Sequence, residues 1–265
     1  LDQEMRALDR GPSHRLNSGE KVWRARWHMK RLTREDGAMA RRLLEEAASE
    51  TPDDPDVMIE MIALKAWEAW LRRADKETFR AIREEAEQVL QRDPLDARWH
   101  QLVGNCTMLS GDHREALPSF EQAVILNPSL AAAHGQIGSC HILAGQPTAA
   151  ITYLDHALRL DPLNFEAFHQ LGELALAQWL AGNSAGAVDA ANAALHRRPA
   201  YHYARFLKAI GLIDQGREGE AMAAWRKIPH DARALLPPLL KWLPFSDGSA
   251  NARLIAAFDR CNALG

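Results

Sequence analysis

Residues 94–128 read PLDARWHQLVGNCTMLSGDHREALPSFEQAVILNP, with a proline at each end and two apolar-periodic segments separated by Ser110-Gly111-Asp112. Apolar residues at helical spacing on both sides of a glycine break predict two short helices packed as a pair. The stretch recurs. Pro94, Pro128 and Pro162 stand 34 residues apart, and Gly111, Gly145, Gly182 and Gly216 advance by 34, 37 and 34. Ala116, Ala150, Ala187 and Ala221 keep the same intervals, so the 37 marks one three-residue insertion in a constant period. A fixed period of this length is the mark of a solenoid, in which each helix pair buries its apolar face against the next.

The columns say how the helices meet. The first helix of each pair carries a small residue where two backbones cross closely: Gly104, Gly138, Ala175 and Ala209. The second carries Ala116, Ala150, Ala187 or Ala221 four residues before Phe120, Leu154, Ala191 or Trp225, which fill the space toward the next pair. The Gly111 column falls where a left-handed cap ends the first helix. Asp112 and Asn183, which follow, are the good N-cap side chains for the second. Pro118 lies inside a second helix and predicts a bend there.

Less regular pairs are expected upstream at 20–32 with 35–50 and at 55–70 with 77–92, and a short helix at 1–10 is broken by Gly11-Pro12-Ser13. Downstream, 231–242 is interrupted by Pro237-Pro238, and 249–264 shows Leu254, Ile255, Ala257, Phe258 and Cys261 on one stripe. That stripe suits a helix covering the last apolar face of the array. The period and columns resemble the tetratricopeptide repeat. The expected architecture is all-α: an N-terminal helix and linker (1–16), a right-handed α-solenoid of about six tetratricopeptide-type helix pairs (17–230), and C-terminal capping helices (231–265).

Composition fits a folded chain: 265 residues, 47% hydrophobic and 25% charged, with a net charge of −3. Dispersed Lys and Arg predict neither direct nucleic-acid contact nor membrane binding. Proteins or peptides are the expected partners. The three cysteines, Cys106, Cys140 and Cys261, form no CxxC pair. Cys106 and Cys140 share a column with Ala177 and Gly211 that favours small residues, which predicts buried, inert thiols in a reducing cytoplasm. The start, Leu1-Asp2-Gln3-Glu4, has neither Met nor a leader pattern and predicts a region cut from a longer protein.

Partners of such arrays bind the face formed by the second, fifth, ninth and twelfth positions of the first helices. Here those positions read Arg98, Gln101, Asn105 and Met108, then Ala132, Gly135, Ser139 and Ile142. The next two pairs contribute His169, Gly172, Leu176 and Trp179, then Tyr203, Phe206, Ile210 and Ile213. The face passes from polar to apolar. Arg98 is its only Lys or Arg, so a clamp for a terminal carboxylate is excluded. The apolar half reads equally as a binding surface or as a surface covered by the C-terminal segment.

His100 and His134 share a column, and His134 and His141 are seven residues apart without a carboxylate to complete a metal shell. They predict interhelical packing rather than a metal site. Arg24, Arg26, Lys30, Arg31, Arg34, Arg41 and Arg42 predict a basic face on the first pair, with Trp23 and Trp27 in a phase that suits burial. No nucleophile elbow, phosphate loop or HExxH occurs, so neither catalysis nor a cofactor is expected within these residues.

The stretch 27–36, WHMKRLTRED, with Ala40, Leu43-Leu44-Glu45-Glu46-Ala47, Leu126-Asn127-Pro128-Ser129-Leu130-Ala131 and Leu243-Pro244-Phe245, carries a further likeness. The chain resembles the C-terminal tetratricopeptide regions of bacterial class III adenylate cyclases and of winged-helix transcription activators. That resemblance covers nearly the whole chain. It implies an accessory regulatory region whose activity lies in an upstream domain of the same polypeptide, most closely a cyclase, alternatively a DNA-binding activator. A free-standing scaffold is the remaining reading.

Overall fold

The computed structural model describes residues 16–29, 34–162, 164 and 167–264. These are helices joined by turns, with no strand among the described residues. The expected helix at 1–10 and its Gly-Pro break, together with Lys30 and Arg31, lie outside them. The early helices are α1 (Ser18–Met29), α2 (Arg34–Glu50), α3 (Pro55–Leu71) and α4 (Lys76–Leu90). The regular pairs follow as α5 (Ala97–Leu109) with α6 (His113–Leu126), and α7 (Ala131–Leu143) with α8 (Pro147–Leu160). Then come α9 (Ala167–Leu180) with α10 (Ser184–Arg197), and α11 (His202–Asp214) with α12 (Glu218–Arg226). The chain closes with α13 (His230–Ala234), α14 (Leu236–Trp242) and α15 (Ser249–Leu264).

Two compact units divide between Cys106 and Thr107, inside α5. In the first, α1 packs on α2 and α3, and α3 packs on α4. Its core is Val22, Ala25, Ala40, Leu43, Leu44, Ala47, Val57 and Leu64. In the second, each helix from α6 to α11 packs on its successor, while α7, α9 and α11 also touch in turn and form a row of first helices. The alanine and aromatic columns make the core of this unit, with Ala150, Leu154, Ala187, Phe206, Ala221 and Trp225 all buried. Gly138 shows why its column is small: a Cβ there would lie 2.8 Å from Leu154 Cγ and 3.3 Å from the Ala150 carbonyl oxygen.

The pairs turn on one device. Gly111, Gly145, Gly182 and Gly216 have φ of 96°, 75°, 83° and 72°, the left-handed region that costs glycine little. At each turn the glycine N–H and the N–H after it bond back to the end of the first helix, as in Gly145 to Ile142 (3.0 Å) and Gln146 to His141 (2.7 Å). The same two bonds occur in the first unit at Arg73 and Ala74, where Arg73 takes φ 52° without glycine.

Several expectations are corrected. Asn183 caps α10 by accepting from the Gly186 N–H at 3.0 Å, but Asp112 makes no such cap bond and instead accepts from Ser110 Oγ at 3.1 Å. Three cations of the expected basic face are buried or paired. Arg24 is buried, Arg26 Nε donates to Glu60 at 2.7 Å, and Arg41 pairs with Glu68. Trp23 is 57% exposed rather than buried, with the Arg26 guanidinium 5.5 Å from its ring centroid. Helix α6 continues through Pro118. The segment after Trp225 breaks at Leu235, ahead of Pro237-Pro238, so both prolines sit in the first turn of α14, where a missing N–H is tolerated.

Candidate functional site

The predicted face divides between the units. In the first, Arg98, Gln101 and Asn105 are half-buried on α5. Asp96 and Asp56 hold Arg98: its Nε donates to both Asp96 oxygens at 3.0 and 3.1 Å, and Nη1 donates to Asp56. The Asp96 bonds raise its pKa above the ordinary guanidinium value, so this cation is already engaged. Glu60, beside Arg26, is pushed above the usual carboxylate range by burial, which outweighs its Arg26 partner.

In the second unit the apolar end of the face is closed. Phe206 and Ile210 are 0% exposed and Trp179 is 4% exposed, while Met108 is buried with Phe120 and Ile137. The last helix does the closing. Phe258 lies edge-on to Trp225 with centroids 5.4 Å apart and packs 6.3 Å from Phe206. Arg253 stands 4.9 Å over the Trp179 ring, whose Nε1–H donates to Asp214 at 2.7 Å, and Arg260 reaches the other Asp214 oxygen at 3.0 Å. Before α15, the Ser246 N–H donates to the Leu143 carbonyl at 2.8 Å, and Phe245 packs among core residues of α7. A small cavity of about 160 Å³ remains beside this segment, lined by Ile142, Leu180, Phe245 and Arg253 among others. Of the two readings of the apolar half, the structure gives the covered one; Tyr203 and Ile213 stay half-buried at its margin.

The half-exposed polar part of the row is its middle. Ser139 on α7, His169 and Glu173 on α9, and Tyr201 with Tyr203 at the start of α11 come together there. Ser139 Oγ donates to Glu173 Oε2 at 2.8 Å, and His169 Nδ1 lies 3.9 Å from Glu173 Oε1. The Tyr201 ring centroid is 6.5 Å from that of His169 and 6.2 Å from that of Tyr203. Gly172 makes room: a Cβ on it would meet Tyr201 Cε1 at 2.7 Å. At 22% exposure the Glu173 side chain is mostly sheltered, and burial pushes its carboxyl above the usual range despite His169 and Ser139. Burial likewise raises the Tyr201 and Tyr203 phenols, and the Glu173 charge adds to both shifts. Glu173 was not among the face positions predicted; its one signal is the i,i+4 spacing from His169.

The histidine column has a structural task. His100 Nε2 lies 2.9 Å from the Pro94 carbonyl oxygen and His134 Nε2 lies 3.1 Å from that of Pro128. A carbonyl only accepts, so Nε2 carries the proton in both. Arg205 does the same for Pro199, tying a first helix to the turn before it. Among the described residues no group of three or more His, Cys, Asp or Glu is placed to hold a metal. Burial pushes the Cys106, Cys140 and Cys261 thiols up to about 12. No helix among the described residues is long and apolar enough to cross a membrane.

Comparison with known proteins agrees with this fold. The tetratricopeptide repeat family matches residues 108–177. A thermophilic TPR protein of Thermus thermophilus superimposes with a TM-score of 0.58 at 19% identity, covering 74% of this chain and 99% of that one. A tetratricopeptide repeat protein from Parabacteroides merdae gives 0.51 at 16%, covering 94% and 93%. MamA gives 0.50 at 21%, covering 61% and 91%. No curated protein matches the sequence. Over 108–177 this chain carries the tetratricopeptide repeat, and its helix pairs take the fold of the proteins built from it.

Proposed function

We propose that this chain is a non-catalytic protein-interaction region that takes an extended peptide on the row α7, α9 and α11. The supporting observation is the cluster of Ser139, His169, Glu173, Tyr201 and Tyr203 around Gly172. There, half-exposed His169, Tyr201 and Tyr203 and the buried Ser139 gather around a carboxylate, with Tyr201 seated over Gly172. Aromatic rings around a few fixed polar groups are the usual makeup of a peptide-recognition surface. Heptapeptides selected from a random phage-displayed library on the purified chain are expected to bind the wild type and to lose most of their affinity to Tyr203→Ala. A library that enriches no peptide, or peptides indifferent to Tyr203, would sink this reading.

The region serves a bacterial signalling protein in a reducing cytoplasm, and the likeness at 27–47 and 243–245 supports a cyclase as its parent. On this reading the bound peptide sets the output of an upstream catalytic domain. An open reading frame that encodes a cyclase before Leu1, with output changed by Tyr203→Ala, is the expected result. A frame encoding a winged-helix domain would favour the transcription-activator alternative.

A further inference from the structure

One side chain in this cluster is chemically out of place for a surface that binds only by shape. Glu173 is a carboxylate sheltered among aromatic rings, and among the described residues its only partner within ion-pair distance is His169 at 3.9 Å. Elsewhere in the chain, sheltered charges are answered at close range: Lys21 by Glu50, and Arg26 by Glu60 at 2.7 Å. Leaving a sheltered carboxylate without a cation costs stability, and such costs concentrate where a ligand supplies the missing charge.

The geometry also selects among cations. Ser139 Oγ already donates to Glu173 Oε2 at 2.8 Å, which leaves Oε1, on the His169 side, the less engaged of the two oxygens. A guanidinium binds best with two parallel N–H bonds to both oxygens, whereas an ammonium is a point charge that one oxygen satisfies. The rings of Tyr201, Tyr203 and His169 neighbour one another on this surface and offer apolar faces to the methylene stem of such a side chain. We infer that Glu173 is the anchor for a lysine side chain of the bound peptide, its ammonium held by Glu173 Oε1 beside the His169 imidazole.

This inference rests on the peptide-binding reading and is tested with the peptides selected above, measured by isothermal titration on the full chain. Wild type is expected to enrich peptides with a lysine at one fixed position. Replacing that lysine by norleucine should weaken binding about tenfold, the worth of one charge-assisted hydrogen bond, and arginine should restore only part of the loss. Glu173→Gln, which keeps the shape and the Ser139 bond, should bind the lysine and norleucine peptides equally. Peptides that bind through Tyr203 but carry no preferred lysine would overturn the inference and leave the peptide-binding reading standing. So would a lysine preference that survives Glu173→Gln. Matching far-ultraviolet circular dichroism spectra of the two proteins exclude misfolding as the cause.

Discussion

Gly138 fixes how closely α7 and α8 approach, because even a methyl group there would overlap Leu154 and press on the Ala150 carbonyl. Gly138→Leu is therefore expected to cost about 3 kcal/mol or more of stability in a urea melt. Glu121→Ala, on an exposed position of α6, should change it by less than about 0.5 kcal/mol. Glu173 acts through pH. Its carboxyl is held above its unfolded value, so the folded state binds that proton more tightly. The stability this provides is full below the ordinary carboxylate range and is lost as pH rises through the folded value. Glu173→Gln should accordingly melt higher than wild type at pH 7.5, with the gap closing toward pH 4. A constant difference across that range would show that the carboxylate carries no such penalty.

Helices α5 to α12 were legible because each is marked by several columns at once, and a 34-residue period tolerates an error in any one of them. The residues that failed are those whose state is set outside the periodic pattern. Asp112 has the side chain of a cap but bonds to Ser110 instead, and Trp23 faces solvent although its phase suited burial. The closure of the apolar face was undecidable from periodicity, since an amphipathic stripe on 249–264 says what α15 hides but not against what. Phe258 carries that closure. Phe258→Ala should cost about 3–5 kcal/mol and shift tryptophan emission to the red as Trp225 meets water. The thiols give a second reading of helix integrity. Cys140 and Cys261, held up to about 12 by burial, should react slowly with a thiol reagent in the native state and rapidly in denaturant.

At the scale of the second unit, helix pairs in an ideal array meet only their neighbours, so stability is a sum of local terms and the ends fray first. Here the segment between α14 and α15 returns to α7, through Phe245 and the bond from Ser246 to Leu143. That return adds a contact between parts of the chain about a hundred residues apart. Amide protons of α7 and α15 are thus expected to exchange with similar protection, and Phe245→Ala to lower both together. Loss confined to 243–264 would mean that the return contact is passive. The mechanical consequence is sharper. Pulled from its C-terminus, a plain array unzips one pair at a time, whereas this unit cannot shed its last pair until the Phe245 buckle lets go. Force-extension traces should then show one large rupture followed by lesser ones, a sequence set by a single phenylalanine that belongs to no repeat.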